Sequence, residues 1–174
     1  MRRARESDLT ALLALEREFP GDRLSRRSFR HLLARAKADV WVCEEKGALL
    51  GNAIVLYRRG TRTARLYSLV VAASARGRGI GQSLVAHAER HAAAAGCEVM
   101  HLEVRSDNPG ALALYAGRGY AVVGRAHGYY EDGADALRLK KRLARALGSA
   151  ASTKHGPRYS TGPNAGERRY AHSR

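Results

Sequence analysis

The segment Arg76-Gly77-Arg78-Gly79-Ile80-Gly81 sets three glycines at alternate positions, with two arginines before and between them. An apolar run, residues 66–71, ends shortly before it, and an alanine-rich helical pattern starts at its end. Glycine permits backbone dihedrals that a Cβ forbids and lets a ligand come close to the main chain. The first turn of a helix presents unpaired N–H groups and the positive end of the macrodipole. Together these features make a cradle for a pyrophosphate, to which Arg76 and Arg78 add charge. Two other phosphate-binding designs do not fit. A Walker P-loop needs Lys and then Ser or Thr after its last glycine, but Gly81 is followed by Gln82 and Ser83. A dinucleotide fingerprint starting at Gly77 would need its third glycine where Gln82 stands.

A second group of polar residues follows. Residues 101–120, "HLEVRSDNPGALALYAGRGY", carry Glu103 at the end of a strand-like run, then Asn108, then Tyr115 on a helical stretch closed by glycines.

The surrounding periodicities define what must position these groups. Leu9, Leu12, Leu13 and Leu15 predict a helix over 8–18, with Ser7 or Asp8 as its cap and Pro20-Gly21 as its stop. Phe29, Leu32, Leu33 and Ala36 predict a second helix over 25–37. Three strands follow, at about 40–45, 48–58 and 64–71, joined as an antiparallel meander. A helix over 80–95 turns Ile80, Leu84, Ala88, Ala92 and Ala95 inward, and a strand over 97–104 comes next. A helix over 108–117 and a final hairpin complete the order ααβββαβαββ. The strand-helix-strand unit 64–104 demands a parallel crossover. The expected fold is therefore α/β in the mixed, α+β sense: a central mixed, mostly antiparallel sheet flanked by helices.

The chain has 174 residues, enough for one domain over 1–147, followed by a basic and disordered tail over 148–174. Its net charge is +15. Five Lys or Arg and one Glu give the tail +4, so +11 falls on residues 1–147. Such a surface attracts nucleic acid, anionic cofactors and ribosomes, or reflects composition alone. No apolar stretch approaches the ~20 residues that span a bilayer. The basic start lacks an apolar signal segment, which points to the cytoplasm. Cys43 and Cys97 lack ligand spacing and read as reduced core thiols. His87 and His91 share a helix face but lack a third ligand, so no metal is expected.

The glycine turn and the second group, taken together, resemble the GNAT acetyltransferase superfamily, which transfers an acetyl group from acetyl-CoA to an amine. The resemblance covers residues 6–143 and is greatest to the ribosomal-protein alanine N-acetyltransferase branch. It extends to the "HGYYEDGADALRLKKRL" segment, residues 127–143. It implies a GNAT-like fold with acetyl-CoA as cosubstrate. It implies that the backbone of Leu69, Val70 and Val71 faces the acetyl and pantetheine arm. Residues Arg76, Gly77, Arg78, Gly79, Ile80, Gly81 and Gln82 would hold the pyrophosphate, and Asn108 would bond the cofactor near the phosphates or pantetheine. Glu103 matches the general base and Tyr115 the general acid. Glu16, Glu18 and Asp22, with Phe19, would flank the acceptor on one side. Tyr129, Tyr130, Glu131 and Asp132 would form the other wall.

The chemistry accounts for those residue types. An amine attacks a thioester only when neutral, and an α-amine, with a pKa of about 7.7–8.0, loses its proton far more readily than lysine at about 10.4. Tyrosine, with a pKa near 10, stays protonated at pH 7 and can protonate a departing thiolate. The expected function is transfer of an acetyl group to a protein N-terminal α-amine. A small amine or polyamine is the alternative acceptor. A basic CoA-binding adaptor for RNA or the ribosome is the alternative of another class.

Overall fold

The computed structural model describes residues 1–18 and 23–144. The expectations for Phe19, for Pro20-Gly21 and Asp22, and for the 148–174 tail lie outside the described residues. The elements run β1 (Arg2–Arg3), α1 (Leu9–Arg17), α2 (Arg26–Ala34), β2 (Ala38–Glu45), β3 (Ala48–Tyr57), β4 (Thr63–Val71), α3 (Ile80–Ala94), β5 (Val99–Arg105), α4 (Pro109–Gly117), β6 (Ala121–Ala126) and β7 (Ala136–Arg142). They build one mixed sheet in the order β1-β2-β3-β4-β5-β7-β6. Every pairing is antiparallel except β4–β5, the pair that α3 crosses over.

Strand alternation distributes the core to both faces. Val40, Val42 and Ile54 meet Leu9 and Leu12 of α1 and Phe29 and Leu32 of α2. Trp41, Ala53 and Val55 turn the other way and pack with Leu84, Val85 and Ala88 of α3. His87 and His91 of α3 both lie against the Trp41 ring, at 4.6 and 4.2 Å between centroids.

Five features differ from the sequence reading. β1 is an additional strand, made by residues whose polarity gave no strand signal. It is held by the Arg2 guanidinium on Asp8 (2.7 Å) and Glu44 (2.6 Å), by Arg3 on Asp39, and by Arg3 over the Trp41 ring. Asp8 precedes α1 as expected, but its carboxylate accepts the Arg5 N–H (2.7 Å) and serves Arg2 instead of capping the helix. The second helix stops at Ala34, three residues early. The Lys37 carbonyl accepts the Tyr57 N–H (2.9 Å) and draws this segment toward the sheet, leaving Ala36 exposed. Ala95 lies past the end of α3 and is exposed as well. Of the two thiols, Cys97 is buried and Cys43 only partly so.

A buried carboxylate ties together the elements around α4. Glu89 of α3 accepts from Arg118, at the end of α4 (2.6 Å), and from Lys141 of β7 (2.7 Å). Burial pushes the Glu89 carboxyl up. The hydrogen bonds from Arg118 and Lys141 outweigh that and hold it below its ordinary value. A depressed folded-state value means that the stabilisation is present above the unfolded value and is lost as pH falls through the folded one. Glu89→Gln should therefore lower unfolding stability at pH 7 by about 1–3 kcal/mol. The gap to wild type should narrow as pH drops below about 4, as read by urea titrations over a pH series.

Candidate active site

After β4, a 3₁₀ turn (Ala73–Ala75) leads into the glycine segment. Gly77 and Gly79 have φ of +75° and +74°, in the left-handed region that L side chains avoid. Alternation of left-handed and ordinary residues turns successive N–H groups to one side. α3 starts immediately, and its first turn closes with the Ser83 N–H donating to the Gly79 carbonyl (3.0 Å). Residues 76–79 and Gln82 are exposed. Arg78 is partly committed to Glu45, at 2.9 Å. A Cβ on Gly81 would lie 3.0 Å from Leu114, 3.6 Å from Val71 and 4.0 Å from Leu69. The glycine turn, the end of β4 and α4 thus converge on one point. A side chain at Gly81 would require the tip of Leu114 to give by a few tenths of an ångström.

Beside this point the sheet opens. β4 and β5 pair only from Thr63↔Val99 to Arg65↔His101. Just beyond, a bulge in β4 sets Leu66 opposite Val55 and Ser68 opposite Ile54, leaving Tyr67 as the extra residue. A bulge bends and twists its strand. From Leu66 to Val71, β4 pairs with β3 on one side and presents a bare edge toward β5 on the other. A ligand with its own amides can pair there as an added strand.

Glu103 stands two residues past the last β4–β5 pair, on the strand that departs. Its Oε2 accepts from Arg65 of β4 at 2.9 Å, and the same guanidinium donates to the Tyr129 hydroxyl at 3.0 Å. Burial first, then the Glu103 charge, pushes the Tyr129 phenol up. Tyr130 packs edge-on against Tyr129, with ring centroids 5.3 Å apart. Burial also raises the Tyr130 phenol, and the neighbouring Tyr129 adds to that. Tyr115 is fully buried on α4, its ring 5.5 Å from that of Tyr120. Asn108 caps α4: its Oδ1 accepts the Ala111 N–H at 3.0 Å, so its Nδ2 is the atom left to reach a cofactor.

The acceptor side departs from a solvated helix face. Glu16 is 2% exposed, and its Oε2 accepts the Leu24 N–H (3.0 Å), holding the chain that follows α1. Glu18 accepts the Ala73 N–H (2.7 Å) and ties α1 to the start of the glycine segment. Both carboxylates serve the backbone here, as scaffold. The remaining acidic residue of this group, Asp22, lies outside the described residues, as does Phe19. Asp132, on the opposite wall, is paired with Arg105 at 2.9 Å.

Sequence reading missed Arg65, and with it Asn52 and Ser68. These last two are buried on neighbouring β3 and β4, and among the described residues their side-chain polar atoms have no hydrogen-bond partner. Buried polar groups are ordinarily hydrogen-bonded, so these exceptions call for an explanation, of which a functional role is one. The available signal was strand alternation: Arg65 falls between Ala64 and Leu66, both core residues, and so must face the other way.

Residues 7–120 match the model of the family described as the acetyltransferase (GNAT) family. The chain is 40% identical over 97 residues to the N-alpha-acetyltransferase MAK3 of Arabidopsis thaliana, a match covering 55% of this chain and 51% of that protein. It is 35% identical over 103 residues to the N-alpha-acetyltransferase RimI of Mycobacterium tuberculosis, covering 55% of this chain and 63% of that one. It spans about half to under two thirds of the length of these relatives. The fold superposes on the ribosomal-protein-alanine N-acetyltransferase of Brucella melitensis with a TM-score of 0.72 at 26% identity, covering 82% of this chain and 98% of the other.

An alanine at Gly77 or Gly79 must either strain the turn by about 1–2 kcal/mol or reshape it. Gly79→Ala should thus weaken coenzyme A binding by about 5- to 30-fold in calorimetry, with the circular dichroism spectrum of the fold unchanged.

Proposed function

Because the chain belongs to the acetyltransferase (GNAT) family, we propose that it transfers an acetyl group from acetyl-CoA to the α-amine of a protein N-terminus. One observation carries this reading. β4 and β5 part beside a glycine turn at a helix start, with a carboxylate on the departing strand. The residues present fit acetyl-CoA. The N–H groups of residues 76–82 suit a pyrophosphate, the bare edge of Leu69, Val70 and Val71 suits a peptide-like pantetheine arm, and Asn108 keeps an amide to donate. The cosubstrate supplies an acetyl group activated as a thioester.

Glu103 takes the proton from the acceptor ammonium, directly or through a water, so that a neutral amine attacks. Arg65 holds one of its oxygens and fixes its orientation across the gap. The hydroxyl of Tyr115 gives its proton to the departing sulfur. Its burial keeps water away from the reacting atoms. Tyr129 and Tyr130 wall the acceptor side, and Glu16 shapes the opposite wall through Leu24. The names of the two relatives, both N-alpha-acetyltransferases, support an α-amine over a lysine as acceptor. So does the modest pKa of such an amine, about 7.7–8.0, which one carboxylate can manage. A cytoplasmic location agrees with an acceptor of this kind. The positive surface and the 148–174 tail would keep the enzyme near ribosomes and RNA.

The decisive experiment incubates the enzyme with acetyl-CoA and a panel of short peptides and polyamines, read by mass spectrometry. Acetyl groups on peptide N-termini support the proposal. Acetylation of polyamines alone, or RNA binding without any turnover, overturns it. Tyr115→Phe should lower kcat by about 10²- to 10⁴-fold and leave acetyl-CoA affinity within about twofold. Equal loss of both would remove its acid role. Glu103→Gln should lower kcat/KM most steeply at neutral pH and recover in part above about pH 8, where the α-amine is already neutral.

A further inference from the structure

We propose that the acceptor is acidic behind its reacting amine: a protein N-terminus with Asp or Glu among its next few residues, selected over basic peptides and over polyamines. This rests on the acetyltransferase reading of the same site.

The inference starts from alternation in β5. Met100, Leu102 and Val104 are fully buried against the core, so His101, Glu103 and Arg105 face the opposite side. The antiparallel register sets Arg138 directly across from Glu103 and Lys140 across from His101. The last parallel pair sets Arg65 beside His101. One face therefore gathers Arg65, Arg138 and Lys140 around Glu103.

The cations differ in how they are used. Arg65 is committed to Glu103 at 2.8 Å. Arg138 and Lys140 are exposed and form no ion pair among the described residues. Acidic neighbours are spent elsewhere: Asp107 and Asp132 on Arg105 (both 2.9 Å), and Asp135 on Arg125 (3.6 Å) and His127 (3.0 Å). Burial lowers the His101 imidazole, with Glu103 opposing and Arg65 and Lys140 adding, so it carries little charge at neutral pH. α1 and α2 cover this side of the sheet over β2, β3 and β4.

An amine delivered to Glu103 brings the rest of its chain over this face. A carboxylate one to three residues behind the amine meets two uncommitted cations. A lysine, an arginine or the second ammonium of a polyamine meets repulsion. Exposed charge pairs are worth up to about fivefold each at moderate salt, and the effect shrinks as salt rises. Such complementarity acts chiefly on specificity and on the rate of encounter.

The test measures kcat/KM of the full chain with acetyl-CoA on matched peptides. Each carries Ala, Ser, Thr or Met first, followed by Asp-Glu-Glu or by Arg-Arg-Arg. Spermidine is included. The proposal expects the acidic series to lead by about tenfold or more at low salt. The lead should fall toward unity by about 0.5 M salt. Arg138→Glu with Lys140→Glu should reverse the order, and the milder Arg138→Gln with Lys140→Gln should level it. Both double variants should keep wild-type coenzyme A affinity, because neither residue belongs to that end of the site. Equal rates on both series, or a lead for the basic one, overturn the proposal while leaving peptide acetylation standing. Absence of turnover on every peptide overturns the acetyltransferase reading itself, and this inference with it.

Discussion

β4 and β5 lie side by side for three residue pairs and then separate. The reasons are local and additive. The Tyr67 bulge increases the twist of β4 at the point where it leaves its neighbour. α3 then carries the chain across before β5 begins. A sheet edge exposed in this way is normally a hazard, because unpaired N–H and C=O groups invite another strand. Here the same property makes a slot for an extended ligand. In the proposed function the glycine turn, the bare edge and Glu103 serve one molecule, and it is this gap that brings the three together.

A gap in a sheet must be braced from outside, since the missing hydrogen bonds no longer hold its two lips. Three contacts do this. Glu89 links α3 to Arg118 and Lys141, so that the helix carrying Tyr115 stays registered against β7. Glu18 fastens the end of α1 to Ala73, just after the upper lip. Arg65 reaches from β4 across to Glu103 and Tyr129, bridging the opening at its base. Each brace pairs a carboxylate with a cation or a main-chain amide, the strong form of hydrogen bond.

The electrostatics divide along the slot. At the cofactor end, the positive field comes from backbone amides and a helix terminus, with Arg78 partly neutralised by Glu45. At the proposed acceptor end it comes from the side chains of Arg138 and Lys140, Arg65 being paired with Glu103. The first kind is rigid and matches a diphosphate. The second is exposed and screened by salt, which suits discrimination among acceptors more than tight binding. A net charge of +15 by itself distinguishes none of these roles.

Apart from β1, the sequence alone determined the elements, their order and the glycine turn. Helical and strand periods are local, and alternating glycines state a backbone conformation directly; φ at Gly77 and Gly79 follows from that. The resemblance to GNAT enzymes at Glu103, Asn108 and Tyr115 could likewise be read from spacing along one stretch of chain. Tertiary structure decided the rest. Arg65 and Glu103 are 38 residues apart, and Arg65 and Tyr129 are 64 apart. No local pattern sets the register that makes them neighbours. β1 escaped notice because its pairing depends on ion pairs to Asp8, Glu44 and Asp39 instead of on apolar alternation. Glu16 reads from the sequence as an acceptor-side carboxylate, whereas the fold buries it with its Oε2 on the Leu24 N–H. Burial and register are properties of the closed sheet, and they settle which charges stay free to meet a partner.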